Sequence, residues 1–239
     1  MITSPHNEKL KLVRRLRERK HRESDGLFVT EGEDLLEAGI TAGAEPRLLL
    51  TAAGSGLGGE EIEPGLLADV STLGSGTRAI AVWPQGWADS AEPVCVYLNG
   101  IGDPGNVGAI VRSVHALLEG TVVLGPDCAD PHSPKAVRAS MGSIFGQPLL
   151  QAGIEATPQP RAALVAHGGE GPDALDAIST LCLGAERKGL PTEILRACDL
   201  EVTIPLRPDG AESLNVAAAA AVACYRLSSP AMSEVERGA

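Results

Sequence analysis

Residues 94–124, VCVYLNGIGDPGNVGAIVRSVHALLEGTVVL, carry the order of elements that indicates the fold class. The run at 94–98 is almost continuously apolar, which is typical of a strand covered on both faces of a parallel sheet. A glycine-rich turn, a helical pattern over 106–118 and a second apolar run over 121–124 follow it. This strand–helix–strand order predicts an α/β fold built on a parallel sheet.

The alternation continues on both sides of this stretch. Downstream, the expected elements are a helix over 134–145, strands near 163–166, 180–183 and 201–204, and an alanine-rich helix over 214–227. Upstream, they are a basic amphipathic helix over 7–22, a strand at 27–29, a helix over 34–42 and a strand at 48–50.

A change of composition separates two predicted domains. Residues 84–93 have the proline, glycine and acidic content of a linker. We therefore predict a small α/β domain at 1–83, a linker at 84–93, a second α/β domain at 94–228 and a flexible tail at 229–239.

Charge is unevenly distributed along the chain. The formal net charge of −11 argues by itself against a polyanionic partner. Residues 8–23, however, contain eight lysines and arginines against three acids. Such an asymmetry indicates a localised contact with a polyanion such as RNA, although a solvated helix face would carry the same charges.

The five cysteines are odd in number and no two form a C-x-x-C pair, which argues against a disulfide framework and a zinc site. No apolar run has membrane-spanning length without interruption, and the N-terminal MITSPHNEKLK does not resemble a signal peptide. We therefore expect a cytoplasmic protein with no metal and no membrane partner.

Three glycine- and serine-rich blocks carry the candidate chemistry, and the first is NGIGDPGNVGAIVRS at 99–113. Its glycines fit the G-x-G-x-x-G spacing of a dinucleotide turn, and Asp127 follows the next strand, where a ribose-binding acid belongs. A dinucleotide-binding oxidoreductase is therefore one alternative. Against it, the carboxylate of Asp103 would repel a pyrophosphate, and Asp103 followed by proline also suits a simple helix start.

Two polar residues of this block are candidates for function. Arg112 lies one helical turn after Gly108, so both are expected to point toward the strand ends, where α/β folds bind ligands. An arginine on an apolar helix face indicates either a bound anion or a structural ion pair. Asn106 is either a polar contact or a helix cap.

The second block is DPHSPKAVRASMGSIF at 130–145. Ser133 and Pro134 suit the N-cap and the first residue of a helix. Lys135 and Arg138 then share one helix face. This cluster suits a phosphate, although a well-capped surface helix is the simpler interpretation.

The third block is split between LGAERKGL at 183–190 and IPLRPDGAESLNV at 204–216. Its glycines allow the close backbone approaches that a cofactor requires. Ser213 can cap the alanine-rich helix, whereas Asn215 in the first turn is open to a ligand.

In this order the three blocks resemble the signature motifs of the SpoU (TrmH) branch of the SPOUT methyltransferases. The similarity lies in DPGNVGAIVRS, DPHSPKAVRASMGSIF, and GAERKGL with IPLRPDGAESLNVAAAAA. The opening ITSPHNEKLKLVRRLRERKHRESDGLFVTEGEDLL is similar to the substrate-binding extension of the family. The resemblance implies a parallel-sheet SPOUT domain with a C-terminal trefoil knot, a preceding RNA-binding domain, and a homodimer with active sites at the subunit interface.

The resemblance also implies an RNA 2′-O-ribose methyltransferase that uses S-adenosylmethionine. The residues implied in catalysis are Asn106, Arg112, Glu186, Ser213 and Asn215. Those implied in cofactor binding are Leu183, Gly184, Gly189, Ile204, Leu206, Ser213 and Leu214. Those expected to bind RNA are Arg14, Arg15, Arg17, Arg19, Lys135 and Arg138. The chain departs from the family at Ala185, where asparagine is common, and at Leu206, where methionine is common.

The blocks contain no obvious general base. The family's arginine, here Arg112, has been given that role, but a guanidinium stays protonated in proteins. We therefore expect Arg112 to bind the phosphate beside the target ribose and lower the pKa of the 2′-hydroxyl, with Glu186 and Asn215 orienting Arg112 and the RNA backbone. The N-terminal extension favours ribosomal RNA. Transfer RNA and a non-catalytic RNA-binding module on the same scaffold are the alternatives.

Overall fold

The computed structural model describes residues 1–73 and 76–235. The helices are α1 (Glu8–Arg15), α2 (Arg19–Asp25), α3 (Glu33–Thr41), α4 (Pro64–Val70), α5 (Pro104–Leu117), α6 (Pro134–Ser140), α7 (Thr192–Arg196) and α8 (Val216–Val235). The strands are β1 (Leu27–Glu31), β2 (Leu48–Ala52), β3 (Glu60–Ile62), β4 (Ala79–Pro84), β5 (Cys95–Leu98), β6 (Thr121–Leu124), β7 (Leu149–Gln151), β8 (Arg161–Leu164), β9 (Thr180–Leu183) and β10 (Leu200–Val202).

The chain forms two compact units. The first consists of Met1–Gly86 and Asp130–Gly146, and the second of Trp87–Ala129 and the chain from Gln147 onward. The first unit contains a four-stranded sheet in the order β1-β4-β2-β3, in which β4 is antiparallel to β1 and β2. Leu10, Val13 and Leu16 are buried in one hydrophobic cluster with residues of this sheet, which confirms the predicted apolar face of the N-terminal segment.

The basic N-terminal segment forms two helices, so the single helix predicted over 7–22 is wrong. α1 ends at Arg15 and α2 begins at Arg19. The buried Arg22 guanidinium donates hydrogen bonds to the carbonyl oxygens of Leu16 and Arg17 at 2.8 and 2.7 Å. A side chain therefore satisfies carbonyl groups that a continuing helix would have satisfied. No glycine or proline marks this break, and apolar spacing alone does not reveal it.

The segment Asp130–Gly146 packs within the first unit, whereas the sequence suggests that it belongs with residues 94–228. Phe145 lies against Trp83 and Phe28, with ring centroids 4.8 and 5.7 Å apart. Arg22 forms a buried ion pair with Asp130 at 2.7 Å. The buried partners of Phe145 and Asp130 thus lie in this unit. Because these partners are distant in the sequence, local sequence patterns do not reveal them. The division into functional domains stays a prediction.

The second unit is built on a six-stranded sheet in the order β10-β8-β9-β5-β6-β7, and all its strand pairs are parallel. Strands β5, β6 and β9 are buried throughout, as continuous apolar runs predict. The α/β class with a parallel sheet is confirmed. In this sheet, β6 and β7 lie on one side of β5. On the other side lie β9, β8 and β10, in that spatial order.

The last helix differs from its prediction at both ends. α8 spans Val216–Val235 instead of 214–227, and its cap is Asn215, whose Oδ1 accepts a hydrogen bond from the Ala217 N–H at 2.9 Å. Ser213, for which capping was the alternative role, is therefore not the cap. Of the tail predicted at 229–239, residues 229–235 are helical and 236–239 lie outside the described residues. None of the helices over 1–73 and 76–235 has the length and apolar character needed to cross a membrane.

Candidate active site

A cavity of about 350 Å³ opens beyond the carboxyl ends of β8, β9 and β10 in the second unit. Parallel sheets bind ligands at this edge, and the volume is within the range of small-molecule sites. The residues predicted to bind the cofactor all line it: Leu183, Gly184, Gly189, Ile204, Leu206, Ser213 and Leu214. Their role in binding stays a prediction, but the structure brings all of them to one place.

The turn after β9 gives the cavity its backbone wall. An added Cβ at Gly184 would overlap the backbone of Gly189 and Leu190, so no larger residue fits without moving the turn. Gly189 has a φ of +66°, in the left-handed region that favours glycine. Its N–H donates to the carbonyl oxygen of Ala185 at 2.8 Å. Two glycines therefore close the turn and bring its backbone against the cavity.

Residues outside the set predicted to bind the cofactor also line the cavity. Leu164, Val165 and Ala166 contribute from the end of β8, and Val216 and Ala219 from the first turns of α8. The predicted strand at 163–166 provides a signal for the first group, because carboxyl ends of neighbouring parallel strands meet at one edge. The third block, which includes Leu214 and Asn215, provides the signal for the start of α8.

Asn106 joins two other predicted catalytic residues. Its Nδ2 donates to Glu186 Oε1 at 2.5 Å, and its Oδ1 accepts from Asn215 Nδ2 at 3.1 Å. Glu186 lies on the cavity wall and Asn215 caps α8. One amide side chain on α5 thus ties the turn after β9 to the start of α8.

Asp103 occupies the N-terminus of α5. Its Oδ1 accepts hydrogen bonds from the N–H groups of Gly105 at 2.6 Å and Asn106 at 3.4 Å. The predicted helix start at Asp103 is therefore confirmed, and Asn106 is not the cap. A dinucleotide pyrophosphate would need these same donors. The structure thus gives no support to the dinucleotide-binding alternative.

Arg112 lies on α5 but outside the cavity wall. It is exposed, whereas Gly108 one turn earlier is buried, so the apolar surroundings expected for Arg112 are not observed. Its long side chain reaches solvent. Glu186 and Asn215 bind Asn106, and their expected role in orienting Arg112 and the RNA backbone stays a prediction. Within the described part of the chain, Arg112 has no hydrogen bond or ion pair, so its N–H donors are available to an anion.

The family model of the SpoU rRNA methylases matches residues 93–225, which include the cavity and all five predicted catalytic residues. The chain belongs to the SpoU rRNA methylase family. A second model, the MRM3-like substrate-binding domain, matches residues 7–80.

Relatives of this SpoU family member are named as RNA methyltransferases. An uncharacterized tRNA/rRNA methyltransferase of Mycobacterium tuberculosis is 37% identical over 142 residues, or 54% of this chain and 49% of that protein. The chain thus matches about half the length of this relative. The 23S rRNA (guanosine(2553)-2'-O)-methyltransferase RlmP of Bacillus subtilis is 27% identical over 95% of this chain and 98% of that protein.

A solved structure of the family matches almost the whole chain. It is the SpoU methyltransferase AviRb from Streptomyces viridochromogenes in complex with the cofactor AdoMet. The TM-score is 0.82 at 26% identity, and the match covers 95% of this chain and 99% of that one. The fold of this SpoU family member is therefore that of SPOUT methyltransferases.

The residues expected to bind RNA all lie in the first unit of this SpoU family member. They are Arg14, Arg15, Arg17, Arg19, Lys135 and Arg138. Arg15 and Arg19 form ion pairs with Asp25 and Glu23. Arg14, Arg17 and Arg138 donate instead to neutral acceptors, the carbonyl oxygens of Pro5 and Val70 and the hydroxyl of Thr72. Among these five arginines, the second group therefore keeps its positive charge without an acidic partner in the described residues.

Burial sets the ionisation of several thiols and one imidazole. Burial raises the pKa of Cys95 to about 11 and that of Cys224 to about 12, and it lowers the pKa of His132 to about 4. All three groups are therefore neutral at pH 7, and the thiols are not activated nucleophiles. The described residues contain no cluster of three or more His, Cys, Asp or Glu that could hold a metal ion.

Proposed function

We propose that this protein transfers a methyl group from S-adenosylmethionine to a ribose 2′-hydroxyl of structured RNA, most favourably ribosomal RNA. The observation that carries the proposal is the cavity beyond β8, β9 and β10, lined by every residue expected to bind the cofactor. RlmP is named as a 23S rRNA 2'-O-methyltransferase, and AviRb was solved with AdoMet. The extension at 7–80 matches a substrate-binding model, and the relatives named as 23S rRNA methyltransferases support the choice of ribosomal RNA.

The residues of the cavity fit S-adenosylmethionine. Leu164, Ile204, Leu206 and Leu214 provide apolar walls for a purine ring, and the turn closed by Gly184 provides backbone polar groups. When bound, S-adenosylmethionine supplies an electrophilic methyl group on a sulfonium. The wall also contains the charged residues Arg187 and Lys188; of its polar side chains, Glu186 and Ser213 are expected to orient the bound molecules.

The chain's own residues contribute position and charge. Asn106 holds the turn that carries Glu186 and the start of α8 at a fixed separation. This separation keeps the methyl donor and the 2′-hydroxyl aligned. Alignment of this kind contributes about 7–11 kcal/mol in favourable reactions. Arg112, with no acidic partner among the described residues, binds the phosphate beside the target ribose and stabilises the negative charge that develops on its 2′-oxygen.

We also propose that the protein acts as a homodimer in the cytoplasm, with its knotted C-terminal segment at the subunit interface. Support comes from an apolar stripe on α8. Ala218, Val222 and Tyr225 recur at helical spacing and are exposed, the last two by 44% and 59%. A stripe of this kind on a protein surface commonly marks a protein–protein contact.

Two measurements test the function. Calorimetric titration with S-adenosylmethionine and, separately, with NAD is expected to show binding of the former alone. Mapping of 2′-O-methylated positions in total RNA, with and without the gene, is expected to show one ribosomal position that is lost. A lost position in transfer RNA would reassign the substrate. Binding of NAD, or no lost position in any RNA, would refute the proposal.

A further inference from the structure

Two arginines of the first unit, Arg17 and Arg138, are far apart in the sequence but bind the same short loop. Arg17 Nη2 donates to the carbonyl oxygen of Val70 at 2.8 Å, and Arg138 Nη1 donates to the Thr72 hydroxyl at 3.1 Å. Because Val70 and Thr72 are two residues apart, their Cα atoms are separated by about 7 Å at most. The two guanidinium groups are therefore anchored at neighbouring points.

A buried carboxylate holds this loop in place. Glu31 is 8% exposed and accepts hydrogen bonds from the Ser71 hydroxyl at 2.6 Å, the Thr72 N–H and hydroxyl at 2.8 Å each, and the Leu73 N–H at 3.3 Å. The Thr72 hydroxyl donates to Glu31 while it accepts from Arg138. Charge-assisted hydrogen bonds of this number fix the loop geometry. The position of Arg138 thus depends on Glu31 through Thr72.

A second connection links the same two arginines on the buried side. The Arg22 guanidinium donates to the carbonyl oxygen of Arg17 and to Asp130 Oδ2, at 2.7 Å in each case. Asp130 begins the segment that carries Arg138. Buried ion pairs add little net stability but fix geometry. Arg17 and the segment that carries Arg138 are therefore connected twice, once through the loop that contains Thr72 and once through Arg22.

The charges of this pair are available to a ligand. Arg17 is exposed, Arg138 is half-buried, and their hydrogen-bond acceptors are neutral. Over the residues described, neither forms an ion pair with a carboxylate. Each guanidinium has five N–H donors, most of which remain for another acceptor. Because like charges repel, an anion between them would stabilise the arrangement.

We propose that Arg17, Thr72 and Arg138 form a binding site for phosphate groups of the substrate RNA backbone, and that Glu31 is its positioning residue. The inference rests on the proposed function and deepens it. The site combines a residue of the second sequence block, on α6, with a loop and a break between helices of the first unit. Phosphate contacts place an RNA on a protein without reading its sequence.

The test uses the full-length protein and 23S rRNA from a strain that lacks the gene. Affinity is measured by filter binding between about 50 and 200 mM salt. Arg17→Ala and Arg138→Ala are each expected to reduce the slope of log affinity against log salt by about 0.7–0.9, and the double variant by about twice that. Thr72→Val and Glu31→Gln are expected to raise the KM for RNA several-fold with kcat unchanged, and Thr72→Ser to restore it.

The matched control is Arg47→Ala, because Arg47 is an exposed arginine of the same unit that does not contact the loop. It is expected to leave the salt slope unchanged. Urea unfolding verifies that the first unit of each variant is folded, and calorimetric affinity for S-adenosylmethionine verifies the cavity of the second unit. Wild-type slopes in both arginine variants, or an equal effect of Arg47→Ala, would overturn the site while leaving the methyltransferase proposal intact. A wild-type protein that binds S-adenosylmethionine but methylates no RNA would overturn both.

Discussion

The side-chain amide of Asn106 donates a hydrogen bond to the carboxylate of Glu186, with 2.5 Å between Nδ2 and Oε1. The same amide accepts a hydrogen bond from Asn215. Both the Nδ2 donor and the Oδ1 acceptor of the amide therefore have partners within the protein, and these partners fix its orientation. These three residues form one structural unit at the edge of the cavity, so we expect their substitutions to have coupled effects.

Asn106→Asp is expected to lower kcat about 100-fold, because a second carboxylate would repel Glu186 and displace the cavity wall. Glu186→Gln keeps an oxygen acceptor for Asn106 and is expected to lower kcat less than about tenfold. Steady-state kinetics with methyl-labelled S-adenosylmethionine measures both. Near-normal turnover of Asn106→Asp would contradict the positioning role of Asn106.

Arg112→Lys is expected to lower kcat about 100-fold while the affinity for S-adenosylmethionine stays unchanged. Lysine retains the charge but not the forked donors that a phosphate and a developing oxyanion require. Because Arg112 is exposed, the substitution is expected to leave the melting temperature unaltered. Nearly full turnover in this variant would show that the guanidinium has no specific part in the reaction.

Gly184→Ala is expected to weaken S-adenosylmethionine binding at least tenfold and to destabilise the fold by about 1–3 kcal/mol. The added methyl group would overlap the backbone of Gly189 and Leu190. Gly171→Ala is the control, because its Cβ would meet no atom within 4 Å and its φ is −70°. Calorimetry and urea unfolding measure the two effects. Equal behaviour of both variants would mean that the turn adapts to a side chain.

Stability is expected to fall as the pH drops below neutrality, and His132 contributes to this fall. Burial, opposed by Asp130 and reinforced by Arg22, lowers its pKa from 6.5 to about 4. The unfolded chain therefore takes up the proton first, so the stabilisation is complete above pH 6.5 and is lost as the pH falls toward 4. Between pH 7 and 5 the loss is about 2 kcal/mol. His132→Phe keeps an aromatic ring beside Phe28, and urea unfolding should show a pH dependence weaker by that amount.

Val222→Asp is expected to convert the protein from a dimer to a monomer, because it places a charge in the apolar stripe of α8. Light scattering after size exclusion measures the mass of each species. Glu193→Lys, a charge change elsewhere in the same unit, serves as the control. A wild-type protein that is monomeric at micromolar concentration would refute the proposed dimer.

The parallel sheet was predictable because its strands are buried on both faces and appear as apolar runs at 94–98, 121–124 and 180–183. Helix starts with a local chemical signal were predictable too, as at Asp103 and Ser133, which cap α5 and α6. The break between α1 and α2 was not, because the group that satisfies its carbonyls is the side chain of Arg22. The cap of α8 was not predictable either, because Ser213 and Asn215 are both good capping residues.

The location of the candidate site followed from the sequence, but its internal contacts did not. Glycine-rich loops after strands predict a ligand site at one sheet edge, and the cavity lies there. The partner of Glu186 is set by the separation of α5 from the turn after β9, which depends on tertiary packing. The hydrogen bond between Asn106 and Glu186 could therefore not be predicted from the sequence.

The discontinuity of the first unit has a consequence for synthesis on the ribosome. Its sheet is complete once Pro84 has been made, but Phe145 and Asp130 arrive more than forty residues later. Until they emerge, Trp83 lacks its ring contact with Phe145 and Arg22 lacks its counter-ion Asp130. A nascent chain released at Gly86 would therefore present a charged and apolar surface to chaperones and proteases, and the unit matures only after Gly146 has left the exit tunnel.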